Sequence, residues 1–272
     1  MSGTKIQWTW RQLPDGTWIM GYTFNTVWGC LRVSEECTNC YAEGIAAHYG
    51  YKVWGPSANT ERRTFGEKYW NQPLAWNRKA EKMGHRASVF CSSMADVYED
   101  HPTVARERAK LWPLIAETPW LNWLLLTKRP ENILKMSPWT GIWPDNVWIG
   151  TSVGLQKRAE ERVPLLLEVP AVVRFLSCEP LLGPVDLMPW IHRLDWIISG
   201  GESGTKARPF HLEWARSLRD QVLSARLQCY PVRHFFKQVG GRYHDSGGRI
   251  LDGRTWDEIP PEVPERSIIH VR

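Results

Sequence analysis

Short apolar runs that each stop at a cluster of small or polar residues constrain this chain more than any other feature. They lie at residues 18–24, 87–91, 123–126, 147–150, 172–176, 196–198 and 234–236. Each is too short for a helix and too uniformly apolar for a half-exposed strand, so they read as buried parallel strands. Between most of them lie stretches with apolar residues at helical spacing, over 104–116, 155–167 and 212–225. Strand, polar cluster and helix in repetition predict an α/β fold, here a partial parallel (β/α) barrel of about six to seven strands. With 272 residues and 43% apolar content the chain can bury one large core. The expected organisation is one domain over 1–241, with an insertion at 50–86, and a C-terminal extension of turns and a small hairpin over 242–272.

In such a fold the active face lies at the carboxyl ends of the strands, where the polar clusters fall. The first cluster holds Cys30, Cys37 and Cys40, half of the six cysteines within eleven positions. Thiolates are soft ligands for iron–sulfur clusters and zinc, and three of them leave a metal centre one ligand short. Cys37 and Cys40 stand one turn apart, and Cys40 opens a predicted helix whose amino end favours an anionic centre. The residues leave open a [4Fe-4S] cluster, a zinc with His48 or a more distant fourth ligand, or unliganded thiols. The strand-end position favours the cluster. The other cysteines, Cys91, Cys178 and Cys229, are too dispersed for a disulfide framework.

The net charge of +5 permits an anionic partner. Within 50–86, Glu61-Arg62-Arg63, Lys68-Tyr69-Trp70 and Trp76-Asn77-Arg78-Lys79 mix cations with aromatics, which suits either a nucleic-acid surface or tryptophans packed on the barrel. Most of the seventeen tryptophans are expected in the core. No run of eighteen apolar residues is present and the first residues lack a secretory signal, so a cytoplasmic protein with reduced thiols is expected.

Three cysteines in the loop after the first strand of a parallel barrel resemble the radical S-adenosylmethionine (SAM) superfamily. Its usual C-x3-C-x2-C appears here as C-x6-C-x2-C, and Asn39 stands where an aromatic residue often precedes the last cysteine. The chain also resembles a phage-associated and bacterial group of uncharacterised three-cysteine-motif proteins. That likeness rests on residues 30–42, Ser93-Met94-Ala95-Asp96, Leu126-Thr127-Lys128-Arg129-Pro130, and residues 174–184, 196–208 and 235–241. The resemblance extends to the photoproduct lyase branch, which repairs DNA.

It implies a [4Fe-4S] cluster on Cys30, Cys37 and Cys40 with SAM on the fourth iron. An electron donor then cleaves SAM to a 5′-deoxyadenosyl radical that takes hydrogen from the substrate. Gly200-Gly201-Glu202 resembles the superfamily's GGE motif, but follows about the sixth strand rather than the second. Ser93 and Asp96 occupy the second-strand position and are therefore the candidates for the SAM amino group. Lys128 and Arg129 are candidates for the SAM carboxylate or a substrate phosphate, and Ser152, Ser177 and Glu179 for further cofactor contacts. Glu202, Ser203, Arg208 and Lys237 are the candidate substrate residues, and the substrate class implied is a nucleic acid or nucleotide. The alternatives are a zinc-stabilised nucleic-acid-binding protein without redox chemistry and, third, a metal-assisted hydrolase using Asp96, Glu179 and Glu202.

Overall fold

The computed structural model describes residues 3–56, 60–243 and 246–262. Its chain divides into two compact units, residues 1–33 with 42–148 and residues 34–41 with 149–272. Strands β3 (Tyr22–Thr23), β4 (Ala87–Cys91), β5 (Leu121–Thr127), β6 (Val147–Ser152), β7 (Val173–Cys178), β8 (Trp196–Gly200) and β9 (Arg233–Gln238) form one seven-stranded sheet in sequence order. The sheet is parallel. Sequence order without reversal is the topology of a barrel wall rather than of a doubly wound sheet, which reverses at a switch point.

In the first unit, all five residues of β4 and six of seven in β5 are buried, as strands covered on both faces must be. Helix α4 (Pro102–Ala116) connects them. Proline at its first position supplies the helical φ, and the His101 ring accepts from the Thr103 amide at 3.1 Å as the cap. The predicted first strand, 18–24, divides in two. A short strand β2 (Trp18–Ile19) pairs antiparallel with β1 (Arg11–Gln12), and Tyr22–Thr23 alone joins the sheet beside β4. The break falls at Gly21, where a Cβ would stand 2.3 Å from the Thr9 hydroxyl. The apolar run hid this, because apolar character does not show which partner a strand takes.

The insertion forms helices α2 (Glu67–Trp70) and α3 (Gln72–Met83), after α1 (Tyr41–His48). Trp76 is buried and stacks on Tyr22 with ring centroids 4.4 Å apart. Tyr69 stacks on Phe24 at 5.0 Å, and its hydroxyl accepts from the Asn25 amide at 2.8 Å. For these two residues the packing alternative holds, and neither offers a face to a base.

The second unit carries the helices Gln156–Leu167 and Leu212–Leu227, the latter burying Ala215, Leu218, Val222 and Ala225 on one stripe. The C-terminal segment turns at a bridge between Leu251 and Arg254, and Leu251 and Trp256 are buried with Ala215 and Phe236. The part of the expected extension beyond residue 262 lies outside the described residues. Among the described residues no helix is long and apolar enough to cross a membrane.

Candidate metal and cofactor site

In the first unit the end of β3 leads through Trp28 and Gly29 to Cys30. Gly29 has φ +120°, and a Cβ there would stand 2.3 Å from the Val53 carbonyl, so only glycine admits this path. The Gly29 amide donates to the Met94 carbonyl at 3.0 Å, tying the cysteine segment to the loop after β4. Arg129, buried to 6% exposure, donates to Asp96 at 2.8 Å and to the Leu31 carbonyl at 2.8 Å, and lies 3.7 Å from the Cys30 sulfur. Burial pushes the metal-free Cys30 thiol up to about 12, and the Asp96 charge adds to this while Arg129 opposes it.

Asp96 accepts from the Thr127 hydroxyl (2.7 Å), the Tyr98 amide (3.0 Å), the Lys128 amide (3.0 Å) and Arg129. Its carboxylate is thus committed to fixing the end of β5 and Arg129. Of the Lys128-Arg129 pair, the arginine reaches the cysteine segment, whereas Lys128 meets Asp96 through its backbone. Ser93 shares hydrogen bonds of 3.3 and 3.4 Å with the Asn25 side chain, which also takes the Met94 amide at 2.7 Å.

In the second unit, residues 34–41 carry Cys37, at the end of a 3-10 turn (Glu35–Cys37), and Cys40, the residue before α1. Glu36 is 3% exposed and accepts from the Gly154 amide (2.6 Å), Arg162 (2.7 Å) and the Ser34 hydroxyl (2.7 Å). Glu35 pairs with Arg158 at 2.6 Å, and its carbonyl takes Arg208 at 2.9 Å. Asn39 donates to Glu202 at 3.0 Å and to the Lys206 carbonyl at 2.8 Å.

Glu202, from the GGE-like turn, also forms a two-pronged pair with Arg208 at 2.6 and 3.0 Å. Burial alone raises its carboxyl, but the hydrogen bonds from Arg208 and Asn39 outweigh that and hold it below the usual carboxylate range. Glycine at 201 is required by close approach, since a Cβ would meet the Val239 carbonyl at 1.8 Å. Lys237 pairs with Glu179, and Ser203 with Gln238. Ser152 and Ser177 are buried at the ends of β6 and β7. The second unit therefore brings Glu202 and Arg208 to the cysteine-bearing segment and leaves Lys237 on Glu179. The residues that reading the sequence missed are Glu36, Asn39, Arg158 and Arg162. A trace of them was visible, because Arg158 and Arg162 repeat at i, i+4 opposite the acidic pair Glu35-Glu36.

All three cysteines are free of disulfides and partly exposed. Among the described residues no three His, Cys, Asp or Glu side chains are gathered as a metal-ligand set. The donor chemistry nonetheless fits an iron–sulfur cluster: three soft thiols lie within eleven positions of the sequence, and thiolates are the ligands such clusters take.

A family pattern of proteins of unknown function, DUF5131, matches residues 4–260. The chain belongs to this family. No curated protein matches it in sequence. Among solved structures it is similar to spore photoproduct lyase complexed with dinucleoside spore photoproduct, at 11% identity over 77% of this chain and 75% of that chain, with a TM-score of 0.45. A mutant of spore photoproduct lyase gives 10% identity over 78% and 75%, with a TM-score of 0.46.

Proposed function

We propose that the protein is a radical SAM-type iron–sulfur enzyme acting on a nucleic acid or nucleotide, with residues 1–241 as its catalytic domain. The observation that carries the reading is the division of labour in the cysteine segment. Glu36 is tied to the buried Gly154 and Arg162, and Asn39 to the buried Glu202, while the thiols of the segment remain unbridged. In this reading Cys30, Cys37 and Cys40 hold a [4Fe-4S] cluster, which supplies one-electron reduction of SAM when an external donor charges it. Arg129 holds the Cys30 segment and keeps a positive charge beside its sulfur. Ser93, Ser152, Ser177 and Lys128 are the strand-end groups assigned to SAM, with Asp96 acting through Arg129 and the Lys128 amide.

The nucleic-acid assignment is supported by a surface of the first unit beside Cys30. The Arg63 guanidinium is held against the rings of Trp28, Tyr51 and Phe65 at 4.6, 4.3 and 5.1 Å, which places a cation beneath the exposed ring of Tyr51 (37%), and Tyr49 is 64% exposed. Flat cations and exposed rings are the groups on which unpaired bases stack.

Anaerobic purification with iron, sulfide and absorbance analysis tests the cofactor. A brown protein with about four irons and four sulfides per chain, lost when the three cysteines become alanine, is expected. Formation of 5′-deoxyadenosine from SAM under a strong reductant is the second expected result. Stoichiometric zinc without sulfide would overturn the proposal.

A further inference from the structure

The segment Ser34–Cys40 is ordered by charge rather than by apolar packing, and Glu36 is the centre of that order. One carboxylate oxygen takes the Gly154 amide at 2.6 Å, and the other takes Arg162 at 2.7 Å and the Ser34 hydroxyl at 2.7 Å. Arg162 is fixed in turn by the Ser152 carbonyl at 2.8 Å. The fit is close: a Cβ on residue 154 would stand 2.2 Å from the Pro180 carbonyl and 3.0 Å from Glu36 Cγ, so glycine at 154 makes the seat. The Ser34 hydroxyl lies 3.8 Å from the Cys37 sulfur, which links Arg162, Glu36, Ser34 and Cys37 in one chain of contacts. A buried ion pair adds little net stability over an apolar substitute, and its best-attested use is to fix one arrangement among several. Here the arrangement fixed is that of the residues carrying two thiols.

The geometry points to Glu36 as a positioning residue that presets the Cys37–Cys40 dithiol for metal capture. This rests on the reading of those cysteines as ligands. Glu36 touches no reacting atom, and it acts through the Ser34 hydroxyl and the backbone of the 3-10 turn. Without it, Arg162 and the Gly154 amide lose their shared acceptor and the segment must be ordered when metal binds, which lowers affinity by the cost of ordering.

The test compares the full metal-free wild-type chain with Glu36→Gln. Hydrogen exchange is read over residues 34–41, and cobalt(II) is titrated as a thiophilic probe through its thiolate charge-transfer band. Exchange in 34–41 is expected to rise about tenfold or more in the variant while β7 and β8 keep their protection. Cobalt affinity is expected to fall about tenfold, the loss of a charged buried hydrogen bond. If Glu36→Gln does not fold, Ser34→Ala, at a half-buried position, removes the hydroxyl that joins Glu36 to Cys37 while leaving Glu36 its Gly154 and Arg162 partners, and is expected to weaken cobalt binding about threefold to tenfold. A folded Glu36→Gln with wild-type cobalt affinity overturns the positioning role even where the wild type carries iron and sulfide. A wild type that takes cobalt on its thiolates but never iron and sulfide overturns the cluster and leaves the positioning role standing. A wild type that takes neither overturns both.

Discussion

Replacing Arg129 by methionine removes the cation that joins Asp96 to the Cys30 segment while keeping the volume of its stem. Both side chains of the pair are 8% exposed and meet at 2.8 Å. Breaking a buried pair from one side costs about 3–5 kcal/mol, because the remaining charge keeps its burial and loses its partner. Asp96 would retain the Thr127 hydroxyl and the Tyr98 and Lys128 amides, so the lower end, about 3 kcal/mol, is expected. The Leu31 carbonyl also loses its donor. Urea unfolding of wild type, Arg129→Met, Asp96→Asn and the double variant measures the pair by a thermodynamic cycle. A coupling of about 2 kcal/mol is expected, with an unchanged dependence on urea. A cost below about 1 kcal/mol for Arg129→Met, or additivity within about 0.5 kcal/mol, would refute the claim that this pair anchors the segment.

A pH dependence follows from His234, which is fully buried with its Nε2 2.9 Å from the Ser199 hydroxyl. Burial lowers its pKa from 6.5 to about 4, against the opposing charge of Glu258. Between those values the unfolded chain binds the proton and the folded chain does not. Stability is therefore complete above 6.5 and falls as pH drops toward 4, by about 3 kcal/mol in all. His234→Gln should flatten that slope in urea titrations run at several pH values, and an equal slope in the variant would count against it. Glycine substitutions divide by what a Cβ meets. Gly201→Ala should cost about 3 kcal/mol or more, because the obstacle is the Val239 backbone carbonyl at 1.8 Å. Gly44→Ala, in α1 with nothing within 4 Å, should stabilise by about 0.5–1 kcal/mol. Thermal melts that rank the two the other way would sink the reasoning.

The sheet was legible because each buried strand is an apolar run ending where its backbone emerges among polar groups, and 87–91 and 196–198 needed no partner to be recognised. Residues 18–24 failed the same rule, since apolar character cannot say that Trp18–Ile19 pairs with Arg11–Gln12 rather than with the sheet. In the insertion, Trp76 and Tyr69 are amphipathic rings that fit a core or a base equally well, and only the rings of Tyr22 and Phe24 decide. The three thiols were visible at once because their spacing is local. Their supports were not, because the Gly154 amide lies 118 positions from Glu36, and Arg129 lies 99 from Cys30. A single sequence carries no trace of such pairings beyond a compatible charge pattern.

The supports also show why these positions are arginine. Arg62, buried with Glu99, donates to that carboxylate and to the carbonyls of Val53, Gly55 and Thr60, and the Gly55 amide in turn donates to the Cys30 carbonyl. Arg129 likewise spans a carboxylate, a carbonyl and a thiol, and Arg162 a carboxylate and a carbonyl. A planar fork can hold several acceptors in fixed directions, whereas an ammonium on a flexible stem cannot match that geometry. In the proposed role the loop has to keep its thiols open, so apolar side chains cannot enclose it. Hydrogen-bonded charge is what remains to give the loop one conformation: Arg129 holds the Cys30 residues in the first unit, and Arg162 holds Glu36 beside Cys37 in the second.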